Sequence, residues 1–451
     1  MQISPLRKAG ASMPALLILS ILILTLTAHA EEKSSISILY YEPVQLIETK
    51  LSSKKTTVLA TADNYEPFIF DAFGRHFELQ PVESRPLHNP EITQLRGYLV
   101  GLPGSWFSLL QDGEEMSGII ADGIDTYLIE PHRRMTGLLV EIPAEHAPPN
   151  LIFRLADILV PQGLMACPSQ SDTMQSDGYI DGQSALTKLN AELQSVTSNA
   201  TFSGNPRLQV GVVADTDFVN THAAETENEI TAIFNIVQGM YTNQVGIDIE
   251  VASIFSVTPD ISNPFSATSI AQNLLKELSD WRIINQADLG HTHLITDRNL
   301  KSDTGEPLAG ISFLGHPGRS GICNPATGAS LSSDTPSLTA LIVVHEIGHS
   351  LGAPHDGDPD GACASTPDME FIMSPSISPA TAMEFSSCSI TQMDKVIAAA
   401  SCLSTTDSTF PVDAGNGGSA SSSGGGGLGW ISIAGLLLSL SHRKRRLRLR
   451  P

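Results

Sequence analysis

The chain has 451 residues, 41% hydrophobic and 16% charged, ordinary values for a globular protein with enough apolar material for two or three domains. A net charge of −22, from 48 acidic and 26 basic residues, excludes the basic footprint of a nucleic-acid binder and sets the surface against anionic lipid. The 5 cysteines leave at least one thiol without an internal partner.

In chain order, residues 1–30 read as a secretory signal peptide. Arg7 and Lys8 precede an apolar stretch from Ala15 to Leu26, and Ala28-His29-Ala30 makes a small-residue cleavage site. Read as an uncleaved anchor, the stretch is short for a membrane span. Export implies an oxidising compartment in which disulfides persist. Residues 31–167 carry short apolar runs between turn residues: Ile36 to Tyr41, Tyr98 to Val100, Trp106 to Leu110, Met116 to Ile120 and Thr126 to Ile129. This pattern predicts a β-rich domain. Residues 168–206, rich in Ser, Asp, Gln, Asn and Gly, read as a linker and processing region with a short helix near Leu186 to Val196 and no dibasic site. Cleavage near Asn205-Pro206-Arg207, by the enzyme itself or by another protease, is compatible with the sequence.

From 207 to 404 the pattern changes to strand, helix, strand, helix, strand: Leu208 to Ala214, Glu225 to Tyr241, Ile247 to Phe255, Ser269 to Ile284 and His291 to Thr296. In the first helix Ile230, Ile233, Phe234, Val237 and Tyr241 mark one buried face. The order predicts an α/β (α+β) domain, a mixed twisted sheet with helices packed on it. Gly310 to Gly315 predicts an edge strand along which an extended peptide would add, and Thr391 to Ala400 a closing helix. His291, His293 and His316 read as structural or exposed rather than as ligands.

Residues 345–356, HEIGHSLGAPHD, follow the apolar run Leu341-Ile342-Val343-Val344. His345 and His349, four apart on a helix, can hold one metal ion from one face. The helix has a capped start at Thr335-Pro336 and a stop at Gly352, where the chain can reverse and bring His355 to the same ion. Three imidazoles leave one tetrahedral corner for water, the mark of a catalytic rather than a structural zinc. Glu346 stands beside the first ligand as general base, taking a proton from that water and passing it to a leaving amine, so the predicted reaction is hydrolysis of peptide bonds. An HExxH string alone also occurs on solvated helices, but here Met373 follows in Phe371-Ile372-Met373-Ser374-Pro375.

The string fits HExxHxxGxxHD, and with Met373 it resembles the metzincin zinc metalloproteases, in which a methionine turn lies beneath the zinc. Asp356 after the third histidine narrows the resemblance to the adamalysin (reprolysin, ADAM-type) branch, where that aspartate is structural. Ser350 and Phe371 depart from it, standing where the branch often has Asn and Cys. The resemblance implies one Zn2+ per chain and a metalloendopeptidase acting on protein or peptide substrates. It also implies Ca2+, to which no loop of ligand spacing can be assigned. A zinc-stabilised surface adhesin that keeps the fold without turnover is the competing reading, and an intact Glu346 argues against it.

Residues 97–132 resemble the prodomain of ADAM-type proteases, so that 31–167 reads as a prodomain and the chain as a zymogen. Cys323, Cys363, Cys388 and Cys402 permit three pairings. The family pattern implies Cys323 with Cys402 and Cys363 with Cys388, leaving Cys167. That thiol has two readings: a buried cysteine, or a ligand that fills the fourth corner of the zinc and holds the zymogen inactive.

Beyond Cys402 the disintegrin and cysteine-rich modules of larger ADAMs are not expected. Residues 405–427 are a Gly/Ser linker, and 428–451 an apolar stretch followed by a basic cluster. About thirteen apolar residues cover about 20 Å of helix, short of a ~30 Å hydrocarbon core. This tail resembles the GlyGly-CTERM sorting signal of Gram-negative bacteria, cut by a rhomboid-like membrane protease, and its other reading is a tail anchor. Both imply export and a transient or tail-mediated membrane association.

Overall fold

Alternating apolar and polar residues build the first of two sheets. In the computed structural model, residues 36–44, 65–86, 91–140, 149–160, 167, 205–376 and 383–405 are described, all within one unit, Met1–Asp407. The signal peptide, the helix expected near 186–196 and the sorting tail lie outside the described residues. Among those described, no helix is long and apolar enough to cross a membrane.

The N-terminal sheet comprises β2 (Glu42–Val44), β3 (Phe68–Ala72), β4 (Arg75–Pro86), β5 (Ile92–Leu99), β6 (Trp106–Asp112), β7 (Glu115–Ala121), β8 (Thr126–Pro131) and β9 (Asn150–Arg154). It is antiparallel, in the order β2-β9-β8-β7-β6-β5-β4-β3. Its end strands β2 and β3 approach one another, and the Phe73 N–H donates to Glu42 Oε2 at 2.8 Å. The sheet therefore curls into a barrel filled by every second residue, among them Phe70, Phe77, Leu79, Leu109, Ile120 and Tyr127. A short pair, β1 (Ser37–Ile38) and β10 (Ile158–Leu159), lies beside it. Sequence reading expected one strand from Ile36 to Tyr41, but only β1 (Ser37–Ile38) of that run is strand; residues 39–41 leave the ladder and β2 begins after them.

The second sheet is six-stranded. Its path runs β12 (Asp248–Ser256), β11 (Pro206–Ala214), β13 (His291–Thr296), β15 (Ala329–Ser333) and β14 (Gly310–Ser312), with β16 (Ser404–Thr405) pairing with the start of β11. The first four are parallel, while β14 runs antiparallel to β15 as an edge strand. Neighbours on β11 point to opposite faces. Two short helices, α1 (His132–Met135) and α2 (Thr216–His222), precede the longer ones: Val212 joins the core under α3 (Thr226–Gln244) and α5 (Thr339–Ser350), and Val213 the core under α4 (Ala271–Asn285). This is an α+β domain, a mixed sheet with helices packed on it, with a β-rich region before it.

Helix α5 starts later than the sequence suggests. Pro336 disfavours a helical conformation at Thr335. Ser337 takes φ 66°, and the Thr335 carbonyl accepts from the N–H groups of Leu338 and Thr339 in a turn. The regular helix begins at Thr339, whose Oγ1 donates to Asp334 Oδ1 at 2.7 Å. All of its residues are buried, so it runs through the core rather than over it. It ends before Gly352, whose φ of 101° only glycine adopts without strain. Cys323–Cys402 and Cys363–Cys388 are disulfide-bonded, and α6 (Ser387–Ala399) closes the domain.

Candidate metal centre

Helix α5 carries His345 and His349 one turn apart, and the reversal at Gly352 returns His355 to them. His355 Nε2 lies 3.3 Å from His345 Nε2 and 3.1 Å from His349 Nε2. Each of the two helical rings is fixed from behind. His345 Nδ1–H donates to the Ile372 carbonyl at 2.7 Å, and His349 Nδ1–H to the Ala353 carbonyl at 2.8 Å. A carbonyl only accepts, so those rings carry their protons on Nδ1 and turn bare Nε2 lone pairs inward.

Two lone pairs meet His355 Nε2, which could offer at most one proton. The set is therefore short of positive charge at its centre. Nitrogens bound at about 2.0–2.1 Å to a tetrahedral ion stand roughly 3.3–3.4 Å apart, close to what is seen. The residues fit zinc.

Cys167 completes the cluster: its Sγ and the three imidazoles offer ligand atoms all within 4.8 Å of one another. Sγ also lies 3.4 Å from Glu346 Oε1 and 3.7 Å from His349 Nε2, and the Cys167 N–H donates to the Pro375 carbonyl at 2.9 Å. Among the described residues no other group of three His, Cys, Asp or Glu side chains converges in this way, and calcium gains no site there.

Burial dominates the electrostatics. It pulls His345 down to about 4, against the pull of its carbonyl partner, and His355 to about 3 with help from His345. His349 is held well below its ordinary value by burial and by both neighbouring rings. Neutral imidazoles are the form that binds metal. Burial lifts the Glu346 carboxyl to about 8, with the Cys167 contact pulling the other way, and lifts the Cys167 thiol well above its ordinary range. Among the described residues, Glu346 Oε2 and His355 Nδ1 find no hydrogen-bond partner.

The supporting shell was only partly legible. Met373 is fully buried beneath α5, and its Sδ lies where a Cβ on Gly348 would come within 2.7 Å. The Asp356 N–H donates to the Met373 carbonyl, while Asp356 Oδ1 accepts from Ser386 and Ser389 at the start of α6. Ser350, one of the two departures, shares a buried hydrogen bond of 2.8 Å with Ser312 of the edge strand. Sequence reasoning missed the carbonyls of Ile372 and Ala353, because a main-chain acceptor leaves no trace in residue type. It also missed Tyr241, whose hydroxyl donates to the Val344 carbonyl at 2.7 Å, immediately before the first ligand. Tyr241 read simply as part of an apolar stripe. His291 and His293 stand apart, fully buried and bonded to Ser330, and His316 is exposed.

Residues 206–386 match the model of metallo-peptidase family M12 (Reprolysin_5). The chain is 25% identical over 285 residues, 60% of its length, to a disintegrin and metalloproteinase with thrombospondin motifs 7 of Rattus norvegicus. It is 23% identical over 327 residues, 70% of its length, to the corresponding protein with thrombospondin motifs 12 of Mus musculus, and 28% identical over 204 residues, 43%, to that with thrombospondin motifs 13 of Homo sapiens. These stretches are 17%, 20% and 14% of the relatives' own lengths, so the chain spans a fifth or less of each. Histidine cluster and family match agree, and residues 206–386 form a metallopeptidase domain of the reprolysin (adamalysin) type of metzincin.

Proposed function

We propose that this protein is an exported zinc endopeptidase made as a zymogen, with Cys167 as its inhibitory ligand. The observation that carries the reading is the convergence of one sulfur and three imidazole nitrogens within 4.8 Å, beside a buried carboxyl. His345, His349 and His355 would hold the ion. Zinc there would polarise a peptide carbonyl and acidify water.

The chain's own groups do the rest. Glu346 Oε1 faces the cluster, where it can take a proton from water and return it to the amine nitrogen of the broken peptide bond. Gly310 to Ser312 form an edge strand whose free side can pair with an extended substrate, holding the scissile bond beside Glu346.

Before activation Cys167 stands against both the base and a ligand, and its main-chain bond to Pro375 keeps it there. Two disulfides suit an oxidising compartment, which supports export. Residues 31–167 act as the prosegment, and the tail at 428–451 directs sorting to the surface of a Gram-negative cell.

The experiment compares purified active protein with its Glu346→Ala form on an unfolded protein substrate, with and without chelator. Turnover that vanishes in the variant and in chelator is expected. Equal, chelator-insensitive turnover in both would remove the peptidase reading.

A further inference from the structure

Helix α3 is buried on two sides, and the sequence shows only one. Ile230, Ile233, Phe234, Val237 and Tyr241 share a core with Val210 and Val212 of the enzyme sheet. Along another stripe, Ala232, Asn235 and Gly239, spaced by three and four, meet the barrel. Ala232 packs against Ile92 and Leu110. A Cβ on Gly239 would come within 2.8 Å of Ser108 Cβ and 3.0 Å of Trp106 Cζ3, so strand β6 approaches the helix more closely than any other residue would allow. A glycine in mid-helix, otherwise unfavourable, is accounted for by this approach.

Between these apolar contacts lies a buried polar set. Gln94 Nε2 donates to Asn235 Oδ1 at 2.8 Å and to Gln238 Oε1 at 3.2 Å. Ser108 Oγ donates to Asn235 Oδ1 at 2.8 Å, and Asn235 Nδ2 returns a bond to the Ser108 carbonyl at 3.0 Å. All four side chains are buried. At the helix start, Arg134 Nη1 pairs with Glu229 at 3.2 Å. Buried amides and hydroxyls that satisfy one another specify a single mating geometry, since any other leaves them without partners.

We infer that this face of α3 is a docking surface for residues 36–160 that holds by itself, so that cutting the chain between 168 and 204 leaves the barrel bound and the enzyme inhibited. None of its residues is near that stretch in sequence, and none touches the metal cluster. Activation then has two steps, scission followed by loss or destruction of the barrel. The word inhibited rests on the peptidase reading; the docking does not.

The test uses the full chain with the recognition sequence of a site-specific protease inserted between 168 and 204. After cutting, native gel filtration is run on the wild type, on the wild type in chelator and on Cys167→Ala. Both pieces co-eluting in all three is the expected result. Separation in any of them overturns the inference; separation only in chelator or Cys167→Ala would mean that the thiol was the hold. Asn235→Ala should speed dissociation of the cut pieces about tenfold or more, and Ser108→Ala serves if that variant does not fold. An unchanged rate would show that the polar set does not hold the barrel. Absence of zinc or of turnover leaves the co-elution result readable, so failure of the peptidase reading is told apart from failure of docking.

Discussion

Gly310 of the edge strand stands directly against Glu346: a Cβ built on it would lie 2.6 Å from Glu346 Oε1 and 2.8 Å from Glu346 Cγ. The backbone at Gly310 is not left-handed, so space rather than conformation calls for glycine. Gly310→Ala must push the carboxylate or the strand aside, and a displacement of about 1 Å can cost roughly 10²-fold in turnover. We predict a fall of that order in kcat, with zinc content retained. Wild-type kcat in the variant would show that the contact relaxes freely.

The proposed latch at Cys167 has a direct consequence. If it leaves fewer than about one site in ten open, removing it raises activity at least about tenfold. The uncut Cys167→Ala chain should therefore cleave a peptide substrate where the uncut wild type barely does. Assay of both with the chain verified intact decides it, and equal rates would remove Cys167 from the inhibition.

How much of this was legible follows physical lines. The metal motif, the strand at His291–Thr296 and the apolar stripe of α3 are written in residue type and spacing. Strands β3, β4 and β9 were not among the expected strands. In β4 the buried Phe77 and Leu79 alternate with charged and polar residues, and Pro81 sits at a register shift. The barrel-facing side of α3 escaped for the opposite reason, since Asn235, Gln238 and Gly239 look like a solvated face. Only the partner strand explains them.

Buried histidines predict acid lability. Burial holds His293 down to about 3, and His291 well below its ordinary value with help from His293 and Arg282. Unfolded histidine titrates near ~6.5, so below that pH the unfolded chain binds protons the native protein refuses. The stability these residues contribute is present above ~6.5 and falls by about 1.4 kcal/mol per pH unit for each histidine as pH drops. Urea unfolding at pH 7 and pH 5 should show this loss, with His293→Gln reducing the slope by about one proton. A slope unchanged by that substitution would contradict the assignment.

The two disulfides should differ in worth. Cys323–Cys402 closes a loop with a sequence separation of 79 and Cys363–Cys388 one of 25. Loop entropy then gives about 4.5 kcal/mol for the first and about 3.5 kcal/mol for the second. The Cys323→Ser/Cys402→Ser protein should show the lower urea midpoint, and the reverse order would mean that loop closure is not the dominant effect.

The most direct test is X-ray absorption at the zinc edge of the intact, uncut chain. Three nitrogen scatterers at about 2.0–2.1 Å and one sulfur at about 2.3 Å are predicted, with the sulfur replaced by a lighter atom in Cys167→Ser. A wild-type spectrum without three imidazoles, or one unchanged by Cys167→Ser, would contradict the assignment of His345, His349, His355 and Cys167 to one ion.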